Sequence, residues 1–230
     1  MAAESSKREE QKGESTLVKT YLVAYNVSQM LGWLIVFVIA VSHTVSGNVH
    51  GVYKAVEQVL KIFQTAAVLE ILHCVFGFVK SNIIVTGFQV YSRVFILWMV
   101  IHSFPAVQNG HGAAAVIYAW SITETIRYGY YFFSLLGQVP YFLVWCRYTF
   151  FILLYPLGVT GELMGVWTAI PYAQKLKVNT IELPNAFNMS FNFYYLLWFT
   201  IFAYIPVFPH LYIYMLKQRK KILGRRPKTD

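Results

Sequence analysis

Residues 147–162 read RYTFFILLYPLGVTGE, and between the arginine and the glutamate almost every side chain is apolar. A charge held at the centre of a bilayer costs about 3 kcal/mol even on the lenient insertion scale, so an ionisable residue in such a stretch is a functional-site candidate. Arg147, Tyr155 and Glu162 are the three here. Tyr155 and Glu162 are two helical turns apart, which places them within about 20° of one face and about 10 Å apart along the axis. Helical side chains lean toward the N-terminus, so Glu162 leans back toward Tyr155. That spacing suits two proton-handling groups on either side of a small reacting centre. The competing reading is an interfacial tyrosine with a glutamate snorkelling at a span end. Pro156 and Gly158 lie between them and predict a kink. The surrounding run VPYFLVWCRYTFFILLYPLGVTGELMGVWTAI exceeds one straight crossing, so a bent span leading into an interfacial piece is expected.

The rest of the chain sets this stretch in a membrane. Of 230 residues, 57% are hydrophobic and only 13% charged, where a soluble domain carries about 25%. A bilayer core takes roughly 20 apolar residues per helix. Six segments fit, at about 21–43, 56–79, 84–106, 112–136, 139–163 and 192–216. The expected fold class is all-α, a polytopic bundle of six transmembrane helices. An even number of spans places both termini on one side. The basic tail MLKQRKKILGRRPKTD (215–230) makes that side cytosolic, and Lys7, Arg8, Lys12 and Lys19 agree, whereas Lys175 and Lys177 fall in a far-side loop against the rule. Residues 1–20 are polar, lack a signal-peptide pattern and are expected to be a flexible cytosolic tail, with a membrane domain at 21–216 and a basic tail at 217–230. Because much of the +9 net charge sits directly after a span, it points to a membrane surface and not to nucleic acid. Cys74 and Cys146 both lie in apolar segments, which argues against a disulfide framework. The histidines lack metal-ligand spacing and no dinucleotide fingerprint occurs, so neither a metal nor a cofactor is expected.

Spans two to five carry polar misfits that are expected to converge on one interior face: Glu57, Lys61, Gln64, Glu70 and His73; then Gln89, Ser92 and Arg93; then Thr123, Glu124 and Arg127; then Arg147, Tyr148, Tyr155 and Glu162. Glu124 and Arg127 are helical neighbours at i, i+3 and read either as a structural ion pair or as part of a catalytic site. Glu70 and His73 share that spacing and read as structural. Arg93 and Arg147 have no local acid, so each requires a partner from another helix or an anionic ligand. Residues 73–80, HCVFGFVK, mimic the HC-x5-R loop of tyrosine phosphatases, but Lys80 lacks the bidentate fork of arginine and an apolar span leaves Cys74 inert.

The runs YNVSQMLGW (25–33), FQTAAVLEILHCVFGFV (63–79), FQVYSRVFILW (88–98), WSITETIRYGYY (120–131), RYTFFILLYPLGVTGEL (147–163) and YIPVFPHLYIYMLKQRKKIL (204–223) together resemble the 3-hydroxyacyl-CoA dehydratase family, also called protein-tyrosine-phosphatase-like A. The resemblance covers nearly everything from about residue 20 onward. It implies an enzyme of the endoplasmic-reticulum membrane that eliminates water from a long or very-long-chain (3R)-3-hydroxyacyl-CoA to give a trans-2-enoyl-CoA. The reaction is the third step of the fatty-acid elongation cycle. By the pattern Y-P-x-G-x-x-x-E, the catalytic pair would be Tyr155 and Glu162; Arg93, Glu124, Arg127, Arg147 and Gly158 would bind substrate or support them. The implied partners are the acyl-CoA substrate, membrane lipids and the condensing enzyme, ketoacyl reductase and enoyl reductase of the same cycle.

Such a dehydration needs a base at C2, acidified by the thioester, and an acid at the departing 3-hydroxyl. Glu162 as base and Tyr155 as acid is the expected assignment; the reverse, with a tyrosinate supported by Arg147, stays open. Arg147 lies about 12 Å of helix from Tyr155 and about 22 Å from Glu162, which suits an anchor for CoA phosphates at a basic mouth. Two rival readings use the same bundle: an inactive membrane scaffold or lipid-binding protein, and a proton-coupled transporter, for which the inverted repeats of many such folds are not visible.

Overall fold

Apolar runs of this length bury their own backbone polar groups by coiling, which is why helices dominate. The computed structural model describes residues 2–47, 49–186 and 188–224, with side chains described from Thr16. The helices are α1 (Ala2–Val45), α2 (Val52–Ala66), α3 (Leu69–Val75), α4 (Ile83–Phe95), α5 (Pro105–Gln108), α6 (His111–Leu136), α7 (Tyr141–Thr149), α8 (Phe151–Leu176) and α9 (Phe193–Leu223). A π-helical turn, Ile96–His102, continues α4. Among the described residues the β-structure is a single antiparallel bridge, Ile181 to Phe191. Local chemistry sets the ends. The Asn82 side chain accepts from the amides of Ile84 and Val85, Asn192 does the same for Tyr194, and Gly137 closes α6 at φ 91°.

Among the described residues, five helical stretches are long and apolar enough to cross a membrane: Thr16–Val45, Val52–Val75, Ile83–His102, Phe151–Leu176 and Phe193–Leu223. The expected fourth crossing is α6, whose 26 residues span about 39 Å. It falls short in apolarity because Glu124, Thr125, Arg127 and several tyrosines interrupt it. Its buried position explains how it carries them, since α1 packs along one side and α8 along another. The fifth crossing is shifted from 139–163 to Phe151–Leu176, with α7 as a separate preceding helix. The interruption falls at Phe150, not at the expected Pro156 or Gly158. Proline has no N–H for the Ile152 carbonyl and its ring crowds that group. The ladder tightens upstream, where the Phe150 carbonyl accepts from both Leu153 (3.1 Å) and Leu154 (2.9 Å). The freed Ile152 carbonyl accepts instead from the Tyr212 hydroxyl on α9 (3.2 Å).

The ends of the chain are also more helical than expected. The backbone of residues 2–20 belongs to α1, the side chains before Thr16 lying outside the described residues, and α9 carries the basic segment to Leu223. Residues 225–230 of the expected tail lie outside the described residues.

Side chains tie the connections at one end of the bundle together. His43 Nε2 meets the His50 carbonyl (3.2 Å), His50 Nδ1 meets the Asn109 carbonyl (2.8 Å), and Asn179 donates to Met99 O (3.3 Å) and Ser103 Oγ (3.1 Å). The loops after α1, after the π turn and after α8 are thereby gathered at that end. The polar residues of α1 also find their use. Where α2 breaks before α3, Gln29 donates to the Phe63 carbonyl (3.3 Å) and Tyr25 to the Ala66 carbonyl (3.3 Å). The core is then filled by Trp33 and Val36 from α1, Tyr53 and Leu60 from α2, Ile96 and Leu97 from the π turn, and Ile117 from α6.

The contact that positions the site is the crossing of α6 and α8. A Cβ on Gly161 would lie 2.7 Å from the Gly112 carbonyl oxygen, and one on Gly112 would lie 2.9 Å from that of Gly161. Only glycine permits backbones this close. Gly158, the glycine singled out by sequence, would place a Cβ 3.4 Å from Ala119 Cβ, an ordinary contact. Gly161→Ala therefore costs about 1–3 kcal/mol by overpacking, read as a lowered thermal midpoint of detergent-solubilised protein, while Gly158→Ala stays close to the parent. Equal midpoints for the two variants would refute the close crossing.

Candidate active site

Trp120, Glu124 and Arg127 recur at helical spacing and so share one stripe of α6. The stripe faces α3, α4 and α8. Glu124 has a side chain only 1% exposed, and no carboxylate survives such burial unpaired. It accepts from Arg93 Nη1 of α4 through one oxygen, and from Arg127 Nε (2.8 Å) and Nη2 (2.5 Å) through the other. Arg127 also grips Glu70 of α3 in a fork, Nη1 to Oε2 at 2.8 Å and Nη2 to Oε1 at 2.9 Å. The Tyr128 hydroxyl donates to Glu70 as well. Two acids and two arginines thus alternate across three helices, and their formal charges sum to zero.

Glu70 is consequently not His73's partner. The bidentate, charge-assisted arginine outcompetes the local i, i+3 histidine, and His73 Nε2 pairs with the Tyr21 hydroxyl (2.9 Å). Cys74 lies in the last turn of α3. Cys74 and Cys146 are free thiols.

The network continues to Glu162. The Arg93 guanidinium lies 6.0 Å from the centre of the Trp120 ring, and Trp120 Nε1 donates to Glu162 Oε1 at 3.0 Å. The other oxygen of Glu162 accepts from the Tyr204 hydroxyl of α9. Glu162 therefore sits where α6, α8 and α9 meet, with a donor on each oxygen. Tyr155, on α8, stacks on Phe208 (centroids 5.3 Å apart) and on Tyr212 (6.3 Å apart, planes 8° apart). Among the described residues its hydroxyl has no hydrogen-bond partner, and Glu162 and Tyr155 are not bonded to each other.

Arg147 lies on α7 and forms no ion pair among the described residues. Its guanidinium sits over Tyr130 (4.3 Å) and Tyr131 (5.0 Å) of α6, and its Nη1 is buried without a hydrogen-bond partner. Such a cation, sheltered by aromatic faces and with one donor uncommitted, is suited to an anion.

The misfits do not all converge. Glu57 forms a second cluster toward the opposite end, with Lys54 (3.0 Å), Lys61 (2.6 Å) and His102 Nδ1 (3.5 Å). Ser92 bonds the Gln89 carbonyl within α4. Lys177, which strains the charge rule, pairs with Glu182. Sequence reasoning missed Trp120 and Tyr204. Trp120 had a signal, lying one turn before Glu124 on the same face. Tyr204 had none, because its pairing depends on how α9 docks against α8.

Comparison with known proteins follows this geometry. The family model described as protein tyrosine phosphatase-like protein, PTPLA, matches residues 64–225. Human very-long-chain (3R)-3-hydroxyacyl-CoA dehydratase 2 is 47% identical over 209 residues, covering 90% of this chain and 82% of that protein. The Caenorhabditis elegans dehydratase hpo-8 is 46% identical over 213 residues (90% and 96%), and Arabidopsis thaliana PASTICCINO 2, a dehydratase of the same description, 38% over 212 (92% and 96%). No solved structure matches.

The buried network predicts an asymmetry in stability. Glu124→Ala strands Arg93 and leaves Arg127 with Glu70 alone, at a cost of about 3–5 kcal/mol, whereas Lys177→Ala, which breaks an exposed pair, costs about 0–1 kcal/mol. Thermal midpoints of the purified proteins measure both, and comparable losses would mean that the interior pairs carry no special weight.

Proposed function

The chain belongs to the PTPLA family, whose matched relatives are very-long-chain (3R)-3-hydroxyacyl-CoA dehydratases, and we propose that it catalyses the same elimination. The observation that carries this reading is Glu162: a carboxylate at a three-helix junction, held at both oxygens, with an unpaired tyrosine hydroxyl two turns away on the same helix. In the proposed reaction Glu162 takes the C2 proton, the C2–H electron pair becomes the C2=C3 double bond, and the C3–O bond breaks. Tyr155 donates its proton to the departing hydroxyl, which leaves as water. Return of the proton from Glu162 to Tyr155 completes the cycle.

Two features support that direction over its reverse. Both Glu162 oxygens accept hydrogen bonds, from Trp120 Nε1 and the Tyr204 hydroxyl, so the carboxyl group is placed as an acceptor and offers neither oxygen as a donor. Arg147 lies over Tyr130 and Tyr131 and not over Tyr155, so it offers a Tyr155 phenolate no direct partner. Trp120 and Tyr204 then act as positioning residues for the base. Arg93, Glu124 and Arg127 act through Trp120 and the packing of α6, and Arg147 takes a CoA phosphate.

The proposed topology has six crossings, with α6 as the sixth, buried among its neighbours. Helices joined by short loops alternate in direction, so both termini lie at the end opposite the gathered loops. Basic residues Lys19, Lys80, Lys217, Lys220 and Lys221 belong to that end, which we assign to the cytosol. The proposed home is the endoplasmic-reticulum membrane. There a ketoacyl reductase supplies the 3-hydroxy thioester and an enoyl reductase consumes the product, with the condensing enzyme closing the cycle. Terminal tags on both ends should be digested by protease added to sealed microsomes; protection of either end contradicts six crossings.

For the chemistry, Tyr155→Phe and Glu162→Gln keep side-chain shape yet each remove a proton-transfer group worth roughly 10²–10⁴ in rate. The double variant is little worse than either single one, because groups acting in one step are strongly non-additive. Turnover of purified protein on 3-hydroxyacyl-CoA measures this. A folded variant with near-parental kcat removes that residue from the mechanism.

A further inference from the structure

The two arginines of the buried network are committed to different extents. Arg127 uses every nitrogen: Nε on Glu124, Nη1 on Glu70, and Nη2 on Glu70, Glu124 and Tyr128. Arg93 commits Nη1 to Glu124. Among the described residues its Nε and Nη2 have no hydrogen-bond partner, and neither is sealed off, since the Arg93 side chain is 29% exposed where that of Glu124 is 1%. A planar guanidinium held in this way is fixed at one end and open at the other. It also stands beside the reacting centre. Its carbon lies 6.0 Å from the centre of the Trp120 ring, whose Nε1 bonds Glu162 at 3.0 Å, and its charge reaches Glu162, Tyr155 and Tyr204 alike.

The proposed elimination needs one more group than Glu162 and Tyr155 supply. As the C2 proton leaves, part of the C2–H electron pair is carried by the thioester carbonyl oxygen on its way to the C2=C3 bond, and a donor aimed at that oxygen stabilises the transition state. Trp120 and Tyr204 already donate to Glu162, and Tyr155 is assigned to the 3-hydroxyl. Arg147 lies over Tyr130 and Tyr131. We infer that Arg93 is a catalytic residue whose Nε and Nη2 donate to the thioester carbonyl oxygen while Glu124 holds its other end. The inference rests on the dehydratase reading and goes beyond a positioning role through Trp120. No atom or electron is added to the reaction. Negative charge passes from Glu162 toward the carbonyl oxygen and then, as the C3–O bond breaks, to the oxygen that Tyr155 protonates. Arg93 stays within reach of the charge throughout.

The test uses the full-length protein in lipid nanodiscs and a long-chain 2,4-dienoyl-CoA, which resembles the product but carries a second conjugated double bond. Its near-ultraviolet band moves to the red when positive charge draws on the carbonyl oxygen, and no turnover is needed to read it. The parent protein shifts the band on binding, and Arg93→Gln abolishes the shift. Glu124→Gln, which still accepts from Arg93 Nη1, and Trp120→Phe, which loses the indole N–H, both keep it. On 3-hydroxyacyl-CoA, Arg93→Gln lowers kcat by about 10²–10³, the loss of one oxyanion donor, with a smaller change in KM. Should Arg93→Gln fail to fold with Glu124 short of a partner, its combination with Glu124→Gln removes one charge of each sign and leaves Arg127 paired with Glu70; the shift is absent there too. A role confined to positioning makes breaking the pair from either side equivalent, so equal loss of the shift in Arg93→Gln and Glu124→Gln overturns the proposal. A shift that persists without Arg93, or that the parent does not show, also overturns it, and normal turnover in that parent leaves the dehydratase reading standing. A shift that depends on Arg93, in a protein without turnover on any 3-hydroxyacyl-CoA, places the failure in the dehydratase reading and leaves the carbonyl site standing.

Discussion

The ion network of Glu70, Arg127, Glu124 and Arg93 is the constraint from which the interior follows. Four charges in an apolar bundle are tolerable only if each is paired in good geometry, because the desolvation of each ion amounts to several kcal/mol. Pairing requires α3, α4 and α6 to hold one relative position, since the arginine fork meets Glu70 with both nitrogens and Glu124 with a third. A helix that slid by a turn would strand a charge. The network therefore acts less as glue than as a register mark, fixing α6 against two neighbours so that Trp120 arrives beside Glu162.

The opposite flank of α6 is fixed by a different force. At Gly112 and Gly161 no side chains intervene, and the backbones of α6 and α8 meet directly. Lipid gives helices little hydrophobic reason to associate, so close packing of small residues is a principal means of holding them. Electrostatic register on one side and steric register on the other leave α6 little freedom. This explains why the least apolar of the long helices is the innermost one.

Much of this was legible in the chain itself. Helix content, the approximate spans and the candidates Tyr155, Glu162, Arg93, Glu124, Arg127 and Arg147 follow from apolar length and misplaced charge, both local properties. The shifted fifth crossing was not legible, because a proline announces a lost donor but not where the strain is released; here Phe150 takes it, one and a half turns upstream. Partner choice was not legible either. Glu70 has a histidine at helical spacing, and only the folded bundle offers it an arginine fork. Gly158 drew notice through its motif while Gly161, three residues on, bears the close crossing. Motif spacing shows that glycine is present, whereas clearance depends on the facing helix.

What remains is why so many aromatic rings line α9, an otherwise lipid-exposed helix with little of its surface buried. Tyr204, Phe208 and Tyr212 recur every four residues and so form one stripe. That stripe faces α8, where each ring answers a specific polar or aromatic need: the Glu162 carboxylate, the Tyr155 ring and the carbonyl freed by Pro156. A Leu stripe would pack as well in lipid but would leave the carboxylate with a single donor and the Ile152 carbonyl with none. Rigid rings carrying hydroxyls satisfy both while keeping water out of the seam. In the proposed reaction they also hold the base and acid in place without a direct bond between the two, which leaves the space between Glu162 and Tyr155 for the carbons that must react.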